Sequence, residues 1–477
     1  MLPRTDSHPQ DHVSASRLGM PNHARQAGPE RPLGNKRQNV GGEAERKAKE
    51  RGRKRLLREL AADQRTAASI FTRRTDHMSR EDMPSGRGVC LCGWTQQAAR
   101  RGQKDRDRPR VELHRSESTA DAGPRAFYAG LSRCKLRWVC PVCTREKSEE
   151  SRADLNAALA ASRAAGFTPL LVTLTARHHR GMALADFWSR LSTAEKRLKG
   201  LTRWKRMNAP DGPMAGFAKA VEATHGAAGW HPHFHLLLVM RSPDEARALA
   251  AVAWLKDAWL YQLDRVGLDG TTPAARRRAF DVQGAAQAGS YVTKWGAAEE
   301  LALSGAKTGR GGGRTPWQLL RDARKGETPR DRAQAADLWF EFVTVFDGVH
   351  QLRLSPSLKA LIREYKAQHP AEEPDLPAAE LIVQFGDDWA ARGRYRRVAM
   401  REAAEDASDA QAARRAALDA LMGDVSDAQL LDQEPDDIED FDLIEIEDDQ
   451  PGPAPAFAFM AARPPPNKRM THDPGGT

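Results

Sequence analysis

The stretch GWHPHFHLLLVM, Gly229 to Met240, decides how this chain is read. Its apolar run has the period of a β-strand, so His231, His233 and His235 project from one face while Phe234, Leu236 and Leu238 supply a core face on the other. One histidine on an apolar strand is ordinarily a satisfied core residue. Three in alternation point to a metal site, because imidazole is the commonest metal ligand and rings at alternate positions can share one ion. Upstream, GFAKAVEATH (Gly216 to His225) reads as a second strand joined to the first as a hairpin across HGAAG, which brings Glu222 within reach. Two imidazoles and a carboxylate make a three-ligand site with open positions, suited to holding phosphate oxygens on Mg²⁺ or Mn²⁺. His231 competes with Glu222 as third ligand, and the sequence leaves both open. Glu222 also reads as half of an ordinary cross-strand charge pair.

Downstream, DVQGAAQAGSYVTKWGAAEE (Asp281 to Glu300) has helical spacing that puts Gln287, Tyr291, Lys294 and Trp295 on one face. Of the five tyrosines (Tyr128, Tyr261, Tyr291, Tyr365 and Tyr395), Tyr291 stands one turn from a lysine in a segment that follows the histidine strand after an intervening helix. A phenol can act as a covalent nucleophile, but with a pKa near 10 it needs its target polarised. A divalent ion on a phosphodiester does that, and Lys294 offsets charge.

These residues carry a resemblance. His233-Phe234-His235 followed by Tyr291-x-x-Lys294 resembles the HUH endonuclease superfamily, and more narrowly the plasmid rolling-circle replication initiators with a single catalytic tyrosine. VTLTARHH (Val172 to His179), Glu222 ahead of the triplet, and GRTPWQLLRDA (Gly313 to Ala323) after the tyrosine agree with it, over roughly residues 90–366. The resemblance implies an α+β domain with a central antiparallel sheet flanked by helices, the histidine strand in the middle and the tyrosine helix across it. It implies nicking of one strand at a plasmid origin, a 5′-phosphotyrosine link and rolling-circle replication, with single-stranded and duplex DNA, a host helicase and a host polymerase as partners. A Glu one turn before the tyrosine, which the family uses to end the round, is here Gln287, and glutamine is no general base at neutral pH. Either Glu299, Glu300 or Asp281 takes that step, or a second subunit of a homodimer does. A conjugative relaxase or single-tyrosine transposase is the enzymatic alternative. A non-cleaving, zinc-stabilised DNA-binding regulator of replication is the alternative of another class.

Five cysteines, an odd number in one region, argue against a disulfide framework and for metal binding. Cys134, Cys140 and Cys143 stand as C-x5-C-x2-C, and thiolates at such spacing fit a tetrahedral Zn²⁺ site. Cys92 is taken as fourth ligand because its Cys-Gly turn matches what the resemblance implies, leaving Cys90 spare. The polar insert from Gln96 to Arg125 reads as a surface loop. His178 and His179, adjacent and so on opposite faces of extended chain, read as a DNA contact or plain surface.

The chain has 477 residues and a net charge of +10, a balance that suits a polyanionic partner. Hydrophobic content of 40% and aromatic content of 6% predict that part of the length is disordered. The expected division is a disordered basic arm over 1–60, a Cys-rich zinc-binding segment over 86–150, and the endonuclease domain over 151–370. A helical extension over 371–425 and an acidic, Pro-rich disordered tail over 426–477 follow. ERKAKERGRKRLLREL within the arm could become helical on nucleic acid, or be a solvated charge run. SGAKTGRGGGRT (Ser304 to Thr315) could approach phosphates or serve as a linker. No stretch reaches the roughly 20 apolar residues of a membrane span, and MLPRTDSHPQDHV lacks a signal-peptide core, so a cytoplasmic, bacterial location is expected.

Overall fold

The computed structural model describes residues 43–78, 88–90, 92–97, 109–118, 123–295, 313–370, 378–386, 389 and 394–422. Its centre is a five-stranded antiparallel sheet built on β3 (Thr168–Leu174), β4 (Met214–Gly226), β5 (Gly229–Met240), β6 (Phe280–Gln283) and β7 (Leu352–Leu354), in the order β6-β3-β5-β4-β7. The histidine strand β5 is the middle strand. A two-residue turn pairs Gly226 with Gly229, which takes φ +90°, and so sets Glu222 opposite His233 and Thr224 opposite His231. On β3, Thr173 lies opposite His235 and, on its other side, opposite Asp281 of β6.

The two faces of this sheet are covered differently. Phe234, Leu236 and Leu238 join Leu170, Val172 and Leu174 in the main core, as their alternation predicts. Over them lie α3 (Leu184–Gly200), α6 (Trp254–Asp264) and the pair α9 (Pro316–Lys325) and α10 (Pro329–Val345), through Phe187, Trp259, Leu320 and Trp339. Both members of the pair begin with a threonine cap followed by proline, and each cap is reciprocated by the side chain three residues on, Gln318 or Asp331. On the other face, Leu171, Leu237 and Val239 form a smaller core. It is roofed by α2 (Pro141–Ala164), α8 (Ala285–Trp295) and α11 (Pro356–Gln368) through Leu155, Ala288 and Leu358. The histidines occupy the half of this second face nearer the hairpin turn.

Further helices fill the connections: α4 (Thr202–Met207), α5 (Glu245–Val252) and α7 (Pro273–Arg278). The intervening helix expected between the histidine strand and the tyrosine segment is two, broken at Ala253 between α5 and α6.

Three expectations are corrected. The insert after Gln96 is not all loop, since Val111–Ser116 is strand β1, paired with β2 (Arg125–Ala129). Ala379–Phe385, predicted as helix, is strand β8 on the other side of β1, and α12 (Arg394–Asp406) and α13 (Ala410–Met422) supply the helical remainder of that extension. Val111, Leu113, Ile382 and Phe385 pack there on Met400, Ala413 and Ala417. The arm, finally, is helical from Glu43: α1 (Glu43–Thr75) buries Leu56, Leu60, Ala67 and Phe71, and Phe71 meets the Trp339 ring at 5.7 Å. Its basic residues are met by carboxylates distant in sequence, Arg53 with Glu405 at 2.7 Å and Arg58 with Glu402 at 2.6 Å. Residues 1–42 and 423–477 lie outside the described residues.

Gly130 follows β2 with φ +75°, and a Cβ there would stand 1.9 Å from the Arg110 carbonyl oxygen. Gly130→Ala therefore combines a left-handed backbone with a clash against main chain that has no rotamer to escape by. The expected cost is about 2 kcal/mol or more, read from denaturant unfolding.

Candidate active site

The register of the β4–β5 hairpin assembles a cluster of Glu222, His233 and His235, whose ligand atoms all lie within 4.8 Å of one another. Glu222 Oε2 is 3.4 Å from His233 Nε2 and 3.5 Å from His235 Nε2. Neighbouring ligands of an octahedral divalent ion sit roughly 3 Å apart, so a small inward movement brings all three onto one cation.

The far side of each ring is held. His233 Nδ1 lies 3.2 Å from the His231 carbonyl oxygen, which can only accept, so Nδ1 carries the proton and Nε2 keeps its lone pair toward Glu222. His235 Nδ1 is 3.1 Å from Thr173 Oγ1. Hydrogen bonds on the second nitrogen are what fix tautomer and ring orientation at metal-binding histidines. Burial pushes the Glu222 carboxyl up, but the hydrogen bonds and charges of His233 and His235 outweigh it and hold the group well below its usual range. For His233, burial pulls down and Glu222 more than restores it, leaving the ring raised.

His231 is placed otherwise. Its Nε2 meets Thr175 Oγ1 at 2.6 Å, and its ring stacks on His178 with centroids 4.8 Å apart. Burial first, then His233, His178 and His235, lowers it to about 3, so it stays neutral. Between the two candidates for third ligand, the geometry brings Glu222 to the pair and engages His231 elsewhere. His178 is half-buried between His231 and Phe187, whereas His179 is exposed. The sequence reading gives Thr173 and Thr175 no role, although polar residues at alternate positions of an otherwise apolar segment are the available signal, and it places His178 as a DNA contact or plain surface where the structure stacks it on His231.

The helix that carries Tyr291 packs on β3 and α2, and its buried Ala288 contacts the core on the histidine side of the sheet. Tyr291 and Lys294 lie in its last two turns. Their side chains fall outside the described residues, as do Glu299, Glu300 and residues 304–312. Gln287 and Asp281 are exposed, and Asp281 accepts from Gln283 at 2.6 Å. Other tyrosines are differently disposed: Tyr128 donates to the Arg397 carbonyl at 2.9 Å, Tyr261 is exposed on α6 across the sheet, and Tyr365 stacks on His369. Three exposed arginines, Arg276, Arg277 and Arg278, end α7 immediately before β6.

A second cluster lies at the start of α2, where Cys92, Cys134, Cys140 and Cys143 converge. Sγ of Cys92 is 3.4 Å from that of Cys143 and 3.6 Å from that of Cys140, and Cys134 lies 3.7 Å from Cys143. A tetrahedron of thiolates about 2.3 Å from zinc has edges of about 3.8 Å, so the four sulfurs stand close to the separation such an ion requires. Cys90 instead contacts Ala68 and Thr72. The Cys92 loop is secured from two directions: Gln64 donates to the Cys92 carbonyl at 2.5 Å, and Arg397 to the Gly93 carbonyl at 2.6 Å.

Comparison with known proteins fits this arrangement. Residues 126–244 match the family model described as replication protein, a span that holds three of the four clustered cysteines and the whole β4–β5 hairpin. The chain is 27% identical over 313 residues to "Protein rep" of Streptomyces lividans, covering 52% of this chain and 67% of that protein. It is also 28% identical over 146 residues to a "Neomycin resistance protein" of Streptomyces cyanogenus, covering 26% of this chain and 33% of that protein. No solved structure matches. Residues 126–244 are thus similar to a replication-protein domain, and the likeness to the plasmid replication initiators stands. Among the described residues no helix is long and apolar enough to cross a membrane.

Proposed function

We propose that this protein starts plasmid rolling-circle replication by nicking one strand at the origin, with Tyr291 as nucleophile. The observation that supports this most is the placement of the Tyr291 helix on the same sheet face as the Glu222–His233–His235 cluster. A divalent ion held by those three residues supplies Lewis-acid polarisation and orientation of the scissile phosphate. The Tyr291 phenolate oxygen attacks phosphorus in line, a P–O bond to the tyrosine forms, and the P–O3′ bond breaks. The phenolic proton is lost and the departing 3′ oxygen gains one, leaving a 5′-phosphotyrosine and a 3′-hydroxyl for a host polymerase. Lys294 offsets charge at the phosphate. Arg276, Arg277 and Arg278 grip the strand's backbone near the cut. Because transesterification keeps the bond energy in the phosphotyrosine, rejoining needs no nucleotide cofactor. Zn²⁺ on Cys92, Cys134, Cys140 and Cys143 holds the segment that carries β1 and β2 against α1 and α2.

The test is incubation of the purified protein with labelled single-stranded origin DNA and Mn²⁺ or Mg²⁺. A covalent adduct and a new 3′-hydroxyl, both abolished by EDTA, are the expected products. Binding with no adduct in either metal would replace this reading with a non-cleaving regulator.

Thr173→Val removes the partner of His235 Nδ1 while preserving shape. Metal affinity at the cluster is expected to fall by about 10- to 100-fold. A Mn²⁺ titration of nicking reads this as a rightward shift that added metal overcomes.

A further inference from the structure

The three-stranded sheet, in the order β2-β1-β8, has one face covered and one open. α12 and α13 pack on the inward row, which holds Leu113, Ile382 and Phe385. Alternation then turns Glu112 and His114 of β1 the other way. The register sets His114 beside Phe127 of β2 on one side and beside Leu381 of β8 on the other. This middle row stands in solvent: Phe127 is 46% exposed and Leu381 47%, whereas Leu113 is wholly buried. The His114 and Phe127 rings lie within 10° of parallel, with centroids 5.5 Å apart.

Cationic side chains stand at both ends of the row. Arg125, paired with Ser116, is exposed, and so is Arg110, the residue before β1. The carboxylate of Glu112 is engaged by its neighbours, accepting from Gln384 at 2.8 Å and meeting His114 Nε2 at 2.9 Å. The sequence that leads into β1, AARRGQKDRDRPR (Ala98 to Arg110), carries six basic residues against two acidic ones. Charge of this sign suits a polyanion. Antiparallel sheets that present aromatic rings hold unpaired bases by stacking, while basic side chains track the backbone. Two exposed apolar side chains fall far short of the roughly 800 Å² a side that a stable protein interface buries, but one ring suffices for a base.

We propose that this open face is a stacking platform for single-stranded DNA, with an unpaired base on the Phe127 ring and the neighbouring phosphates against Arg125 and Arg110. That the polymer is DNA rests on the reading in which Tyr291 nicks an origin strand. The platform itself lies on a different sheet from the nicking cluster and needs no divalent ion.

The experiment measures binding of the full chain to a labelled oligo-dT and to its abasic counterpart by fluorescence anisotropy, without added Mn²⁺ or Mg²⁺. Phe127→Leu and Phe127→Trp are measured beside the parent, with thermal unfolding as a check on folding. Tighter binding of oligo-dT than of the abasic strand, weakened about tenfold in Phe127→Leu and kept in Phe127→Trp, is the expected result. Photocrosslinking of an oligonucleotide that carries 5-iododeoxyuridine should mark the peptide containing Phe127, a readout that needs no variant. Nicking of a short origin strand by Phe127→Leu with Mn²⁺ should match the parent. Oligo-dT binding unchanged in a folded Phe127→Leu chain, with no crosslink at Phe127, overturns the platform and leaves the nicking reading intact. Stacking at Phe127 with no covalent adduct on any origin strand does the reverse. A dimer that Phe127→Leu dissociates while DNA binding is unchanged assigns the face to a second copy of the chain and likewise overturns the proposal.

Discussion

Changing Tyr291 to phenylalanine is expected to leave the fold intact and to eliminate covalent attachment to DNA, with origin cleavage falling on the order of 10⁴-fold or more. The substitution deletes one oxygen and keeps the ring. The helix is anchored by Ala288 and by its packing on β3 and α2. Thermal unfolding should match the parent, and binding of single-stranded origin DNA should persist, because the basic surface and the Glu222–His233–His235 cluster are untouched. The reading is a denaturing gel on which the slow-migrating protein–DNA band disappears. Loss of binding together with cleavage would show instead that Tyr291 is a contact residue of a DNA-binding protein.

The second large effect concerns the four cysteines. Removing their metal with a strong chelator, or replacing the buried Cys143 with serine, should destabilise the protein by on the order of 5 kcal/mol or more, because binding energy at a structural thiolate site is folding energy. The cluster draws its four sulfurs from three pieces of chain: the Cys92 loop, the Cys134 turn and the first turn of α2. Without an ion, sulfurs 3.4 to 3.7 Å apart are too distant for disulfides of about 2 Å and are left as four crowded thiols. Elemental analysis of the purified chain should give one tightly held zinc, with Cys143→Ser reduced in content and in melting temperature, whereas Cys90→Ser should change neither. A parent chain free of zinc that melts as a stable unit would contradict this account.

The legible part of the molecule was the part with short-range logic. β5 announced itself by alternation, and the two-residue turn between Gly226 and Gly229 then determines every pair in the hairpin, including Glu222 opposite His233. That register was implicit in HGAAG, so the choice between Glu222 and His231 could have been narrowed by counting back from the turn. What alternation along β5 cannot reveal is the neighbouring segment: Thr173 of β3 holds His235, and Thr175, just past the end of that strand, holds His231. The second sheet was hidden for a related reason. β1 lies in a polar insert with Val111 and Leu113 as its inward residues, and its partner β8 is more than 250 positions away, too far for local pattern to suggest the pairing. α1 misled because its charges outnumber its apolar stripe, and the carboxylates that answer them, Glu402 and Glu405, sit on α12.

The most direct test of the account is to trap the protein on labelled origin DNA with Mn²⁺, digest both components, and identify by mass spectrometry the peptide that carries the nucleotide. The prediction is a phosphotyrosine at Tyr291, within the segment Ala285–Trp295. A nucleotide on any other tyrosine, such as the exposed Tyr261 on the far side of the sheet, or a cleaved strand with no peptide attached, would contradict it.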